Sequence, residues 1–185
     1  MTNDMHIPEY MNAVVTIGNG GYEKLLYQKV KTPIPSKNEV LVKVLAAGMN
    51  NTEINTRLGW YSPNIKVGTS QLNKKIEKGG SINNSGWNGA TNFPLIQGTD
   101  CCGKIIKSGN SKNNSLIDKR VIIRSCMRVN GFKSRQKIWM ASNFDGAFAD
   151  YVKVPISEVF PINSNWSDAE LATIPCSYGT AENML

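Results

Sequence analysis

Residues 93–109 read FPLIQGTDCCGKIIKSG: two adjacent cysteines between glycines, an aspartate ahead of them and an apolar run behind. A metal site, a redox pair and a strand that carries sulfur are the competing readings. Successive side chains of an extended strand point to opposite faces. Cys101 and Cys102 then look away from each other, and Asp100 shares a face with Cys102. Two thiols so placed cannot easily hold one zinc, and a disulfide between them would distort the strand. A tetrahedral site takes three or four N or S ligands, and the single histidine, His6, lies in what reads as a loose N-terminal tail over residues 1–10. Small buried hydrophobes are the commoner fate of free cysteines. The stretch reads as a strand of a barrel.

Similar strands lie on either side of it. NAVVTI (12–17) and EVLVKVLAAG (39–48) are short, rich in Val and Leu, and bounded by Gly, Pro and Asn. In EVLVKV, Val40, Val42 and Val44 alternate with Glu39, Leu41 and Lys43, which predicts one drier face. KTPIPSKNE between them is a connection, and GNGG at 18–21 is a turn. KRVIIRS (119–125) and GAFADYVKVP (146–155) predict two further strands. In the second, Ala147, Ala149, Tyr151 and Lys153 share one face, and Phe148, Asp150, Val152 and Val154 the other. NNTEINTRLG (50–59) predicts one or two helical turns closed by Gly59. Residues 62–92 are rich in Asn, Ser, Gly and Lys with no apolar period, and predict a long polar loop anchored by Trp87. Ser167 followed by Glu170 is a capping box with Asp168 at the dipole end of a helix. Pro175 interrupts, and SYGTAENML starts another helix. No repeat is present. The predicted fold is mainly β with a few short helices, an irregular barrel.

The 185 residues suit one good-sized domain, and 41% apolar with 19% charged residues is an ordinary globular balance. No apolar run approaches the roughly 20 residues that cross a bilayer, and MTNDMHIPEY lacks the basic-then-apolar order of a signal peptide. A cytoplasmic protein with no membrane partner is the expectation. Cys101, Cys102, Cys126 and Cys176 show no C-x-x-C spacing, which fits free thiols in a reducing compartment. The net charge of +7 is uneven: Lys119, Arg120, Arg124, Arg128, Lys133, Arg135 and Lys137 crowd 119–137 with no acid among them. Such a run is either a surface for nucleic acid or another polyanion, or a solvated strand edge that discourages pairing. The second reading is preferred, and nucleic acid is not expected as a partner.

The order of five pieces resembles a known family. EVLVKVLAAGMNNTEINTRLGWY, FPLIQGTDCCGKI, KRVII, DGAFADYVKVP and LATIPCSYGTAENML together resemble the N-terminal GroES-like catalytic domain of medium-chain dehydrogenase/reductases, the zinc alcohol dehydrogenase and quinone oxidoreductase superfamily. The resemblance runs over residues 11–185 apart from 62–92. It implies a GroES-like barrel over 11–165 and, in 166–185, a helical lead-in to a cofactor-binding domain. In zinc-using members a cysteine follows the A-G-x turn and a histidine follows the glycine of the second motif. Asn50 and Thr99 stand there instead, leaving Cys176 at the third ligand position and Cys126 alone where a four-cysteine lobe would fall. The resemblance therefore implies the zinc-independent branch, with no metal ligands, which moves hydride from NAD(P)H to a quinone, an enone or a related carbonyl substrate. It puts Asn50 where a polar side chain faces nicotinamide and substrate, Tyr61 near the substrate, and Thr180 beside the nicotinamide. Structural roles compete: Asn50 or Asn51 as helix cap, Tyr61 as half-buried loop packing, Thr180 as a first-turn helix residue. Glu53 reads as structural, and Arg57 carries no assigned role.

The superfamily's next element, a strand and glycine-rich turn opening a Rossmann domain, does not follow, and GNGG lacks the third glycine of that fingerprint. The Rossmann domain is thus expected to be absent from this chain, which alone would not bind NAD(P)H in the usual way. A fragment, a truncated or split enzyme, or a non-catalytic module for an anionic partner are the expectations this raises. The face left open is expected to be covered by a cofactor domain or by self-association.

Overall fold

The computed structural model describes residues 6–80, 84–86, 89–128, 131, 133–134, 136–182 and 184–185. Trp87, the expected anchor of the polar loop, and Arg135 of the basic run lie outside the described residues. Among the described residues ten strands form, β1 Tyr10–Thr16, β2 Leu25–Lys31, β3 Glu39–Ala46, β4 Leu95–Ile96, β5 Cys102–Ser108, β6 Arg120–Ile123, β7 Cys126–Met127, β8 Ile138–Trp139, β9 Tyr151–Pro155 and β10 Val159–Pro161. Four α-helices accompany them there, α1 Asn51–Arg57, α2 Thr69–Glu77, α3 Asp168–Leu171 and α4 Pro175–Glu182, with three short 3-10 turns. The expected class, mainly β with few short helices, is what the chain adopts.

A five-stranded sheet ordered β10-β6-β5-β3-β9 carries the core, with a three-stranded sheet β2-β1-β4 and the pair β7-β8 beside it. Val40 and Val42 of β3 meet Cys101, Ile105, Val121, Ile123, Val152 and Val154 in one buried cluster. Leu41 points the other way and is also buried, so both faces of this part of β3 are dry rather than one. Cys101 belongs to that inner cluster, while Cys102 packs with Leu171 and Ala172 at α3. The two cysteines do look to opposite sides.

Residues 146–150 depart from the single strand expected there. Only Tyr151–Pro155 is strand, and Ala147 joins Val152 and Val154 in the core, contrary to the predicted alternation. The reason lies in backbone bonds that take 146–150 out of a regular ladder. The amides of Ala147 and Phe148 donate to Gly98 and Gln97, Val14 N donates to Phe148 O at 2.8 Å, and Asp150 N donates to Asn12 O at 3.0 Å. With Val44 N on Asp150 O at 2.9 Å, this segment ties the three-stranded sheet to the larger one and shapes the barrel.

Among the elements that were not foreseen, two stand out. Strand β2, hydrogen-bonded along all of β1, has no buried residue, so its sequence carries no apolar alternation. Helix α2 lies within 62–92, correcting the expectation of a loop throughout. It buries Leu72 alone, and Thr69 Oγ1 donates to Asn55 Oδ1 at 2.9 Å to moor it on α1. Helix α1 forms as predicted, closed by Gly59 at φ +65°. Arg57 is buried, donates Nη1 to Gly20 O, and lies 4.7 Å over the Tyr22 ring, which gives it the structural task of bracing the GNGG turn. Ser167 and Glu170 form the expected capping box on α3, Ser167 N donating to Glu170 Oε2 at 2.8 Å and Glu170 N to Ser167 Oγ at 3.2 Å. Pro175 does not precede α4 but opens it, at the position where a missing N–H costs nothing.

Candidate active site

Gly98 holds φ +104°, and a Cβ there would meet Phe148 N and its ring at 2.7 Å. Glycine lets the chain turn and deliver Thr99 and Asp100, both buried, towards α1 and α4. Asn50 stands at the N-cap of α1. Its Nδ2 donates to Asp100 Oδ2 at 2.9 Å and to Thr99 Oγ1 at 3.3 Å. Its own amide donates to Glu53 Oε2 at 2.7 Å. Glu53, 4% exposed, spends its other oxygen on Thr99, accepting from N at 2.8 Å and Oγ1 at 2.6 Å. From the far side Cys176 N donates to Asp100 Oδ1 at 2.7 Å, and Ser125 Oγ donates to Thr99 O at 2.8 Å. Residues distant in sequence thus meet on one dipeptide.

Burial pushes the Asp100 carboxyl above its ordinary value, and the bonds from Asn50, Cys176 and Ser125 offset that only in part. Burial, then Asp100 and Glu53, push the Cys176 thiol up to about 11. This donor set does not suit zinc. An amide, a hydroxyl and a single thiol stand where imidazole and two thiolates would be needed. The oxygens of Asp100 and the hydroxyl of Thr99 are already engaged with their neighbours. Among the described residues, no three His, Cys, Asp or Glu side chains group so as to hold a metal.

Over this cluster opens a cleft of about 780 Å³, walled by Thr52, Ser125, Cys126, Trp139, Cys176 and Thr180 among others. Of the residues singled out from sequence, Asn50 is drawn to the cluster that Cys176 joins. It is a helix cap as well, so the two readings of it coincide. Thr180 lines the cleft, in the second turn of α4 rather than the first, with Oγ1 donating to Cys176 O at 2.7 Å. Tyr61 is half-buried, edge-on to Trp60 with ring centroids 5.7 Å apart, and its hydroxyl lies 3.3 Å from Thr52 Oγ1 on the cleft wall. Asp100, Thr52, Ser125 and Trp139 were not foreseen as site residues. Only the buried acid after Gly98 could have hinted at the first.

The run 119–137 is divided between different partners. Arg120 turns to α3, bonding Asp168 Oδ1 through Nε at 2.8 Å and the carbonyls of Ser164 and Trp166. Arg124 turns to the buried Glu158 at 3.3 Å. That division disfavours one continuous surface for a polyanion.

The profile of the alcohol dehydrogenase GroES-like domain matches residues 36–164. The chain belongs to that family, and with it to the medium-chain dehydrogenase/reductases. Synaptic vesicle membrane protein VAT-1 homolog-like of Mus musculus is 25% identical over 175 residues, covering 95% of this chain and 31% of the mouse protein. NAD(P)H oxidoreductase RTN4IP1, mitochondrial, of Danio rerio is 30% identical over 146 residues, covering 78% of this chain and 30% of that protein. A Sinorhizobium meliloti 1021 protein solved as a candidate alcohol dehydrogenase superposes with a TM-score of 0.81 at 34% identity, over 100% of this chain and 49% of that one. The chain thus spans about a third of the length of the two curated relatives. Among the described residues no helix is long and apolar enough to cross a membrane.

Proposed function

We propose that this chain forms the substrate-side domain of a zinc-independent, NAD(P)H-dependent oxidoreductase acting on quinones, enones or related carbonyl compounds. The observation that carries this reading is the cluster of Asn50, Thr99, Asp100 and Cys176, whose polar atoms satisfy one another at the cleft where a zinc-using relative needs free ligands. Bound NAD(P)H would supply the hydride. The chain's own residues hold the acceptor against it and stabilise the negative oxygen that develops. The paired hydroxyls of Thr52 and Tyr61 are suited to donate to that oxygen, Asn50 is held rigid by Asp100 and Thr99, and Thr180 borders the nicotinamide end. Residues 11–165 make the catalytic barrel and 166–185 lead towards the cofactor domain. The dinucleotide phosphates are taken by that domain, either in a longer form of this protein or on a second chain. The setting is the cytoplasm, where the four free cysteines stay reduced.

The test is to isolate the native protein from its own cells with whatever chain accompanies it, measure bound zinc, and follow NADPH and NADH oxidation with cyclohexenone and benzoquinone. Acceptor-dependent oxidation without stoichiometric zinc is expected. One zinc per chain, or no oxidation with either acceptor, overturns the reading.

A further inference from the structure

Strand β2 ends the three-stranded sheet, and its outer edge is open. Ile17 N donates to Lys24 O at 2.9 Å and Thr32 N to Glu9 O at 2.8 Å, in the register that pairs Val15 with Leu26 and Met11 with Val30. In an antiparallel ladder alternate residues turn their N–H and C=O to the same neighbour. The even positions of β2 therefore face β1, and Leu25, Tyr27, Lys29 and Lys31 face away from it. Leu25 N is spent on Tyr22 O. Among the described residues, nothing bonds the amides of Tyr27, Lys29 and Lys31 or the carbonyls of Leu25, Tyr27, Lys29 and Lys31. The far side of β1 offers no such row, because β4, Phe148 and Asp150 already occupy it. A row of unpaired donors and acceptors is a template for another strand.

The side chains of β2 say which strand fits. Its seven residues, LLYQKVK, complement themselves when run antiparallel about Gln28. Leu26 then stands opposite Val30, Tyr27 opposite Lys29 and Leu25 opposite Lys31, while Gln28 meets itself. No lysine faces a lysine. The hydrogen-bonded pairs fall on the odd positions, whose groups are free. Tyr27 exchanges both backbone bonds with the partner's Lys29, and Lys31 N donates to the partner's Leu25 O. Moving the axis to Lys29 or Val30 sets lysine against lysine, and like charges directly opposite destabilise a pair. Moving it to Tyr27 leaves Lys31 beyond the end of the partner strand. On the inner face Leu26 is 39% exposed and Val30 leans on the cluster of Met11, Ala13 and Val15, so the pairing continues that apolar row from one copy into the other. On the outer face Tyr27, 74% exposed, lies along the aliphatic stem of the partner's Lys29.

We infer that β2 is a docking edge for a second copy of this chain, which adds its own β2 antiparallel about a two-fold axis at Gln28 and joins the two three-stranded sheets into one. The pairing is independent of the acceptor cleft. A contact of two strands is small, so the pair is weak and forms at high concentration.

Hydrogen exchange of the full chain, followed at single amides from micromolar to millimolar protein, tests the pairing. The amides of Tyr27, Lys29 and Lys31 should exchange about ten-fold more slowly once about nine chains in ten are paired. Gln28→Lys and Gln28→Glu each set like charges on the axis and should abolish that concentration dependence. An equal mixture of the two variants should restore it, and added salt should weaken the restoration. Gln28 is exposed, so neither substitution disturbs the core. Fast exchange at every concentration overturns the pairing, because the edge then stays open. Slow exchange at every concentration overturns it too, because another part of the protein then covers the edge. Variants that behave as the wild type place the association in another register and also overturn it.

Discussion

Asp100 has Asn50 on one carboxylate oxygen and the Cys176 amide on the other, and burial still leaves its pKa raised. Between the ordinary carboxylate value and the raised one, the folded chain therefore holds more of this proton than the unfolded chain does. The contribution of Asp100 to stability falls as pH rises from the ordinary carboxylate value of 3.8 through the raised one. Glu39 has the opposite sign. Burial pushes it up, but the Ser36 hydroxyl and amide and Lys153 bring it below its ordinary value, so its contribution is lost as pH falls. Urea unfolding of the wild type and Asp100→Asn from pH 4 to pH 7 should show the variant gaining relative to the wild type as pH rises. A difference that stays constant across that range counts against a raised Asp100 carboxyl. The sequence exposed this residue only as the face-mate of Cys102. Its real partners lie 50 and 76 positions away, beyond the reach of any local pattern. Asn50, Tyr61 and Thr180 were singled out only because ordered motifs brought a family with them.

At the level of elements, β3, β5 and β6 announced themselves through runs of Val and Ile that the core absorbs. What escaped shows no apolar period. Strand β2 lies on the outside of its sheet, and β4, β7 and β8 are two residues each, too short for a period to register. Helix α2 buries a single side chain, Leu72. Leu72→Ala should accordingly free α2 without unfolding the barrel. Amides of the last two turns of α2 should lose their exchange protection, while those of β3 and β5 keep theirs and Tm moves by only a few degrees. A large global loss, of the 2–5 kcal/mol seen when a core leucine is truncated, would show that α2 belongs to the barrel's cooperative unit.

For the whole molecule, the open side of the cleft is rimmed with exposed apolar groups. Met49 precedes Asn50 and is 73% exposed, and Tyr178, two residues beyond Cys176, is 64% exposed. Met184, which lines the cleft itself, is 81% exposed. A bare apolar rim favours association. Light scattering behind size exclusion should show the mean mass of the isolated chain rising with concentration, and Tyr178→Lys should reduce the rise. A constant monomer mass at every concentration would mean that this rim does not drive contact between copies. The cysteines that drew the eye in the sequence gain another use from their placement. Cys101 is sealed in the barrel, with its thiol pushed up by complete burial, whereas Cys126 and Cys176 border the cleft. The protein thus carries a built-in set of chemical clocks. Cys176 reacts from the cleft it borders, whereas the alkylation rate of Cys101 times the opening of the barrel itself, so mass spectra taken over hours would set access at the rim against motion at the centre.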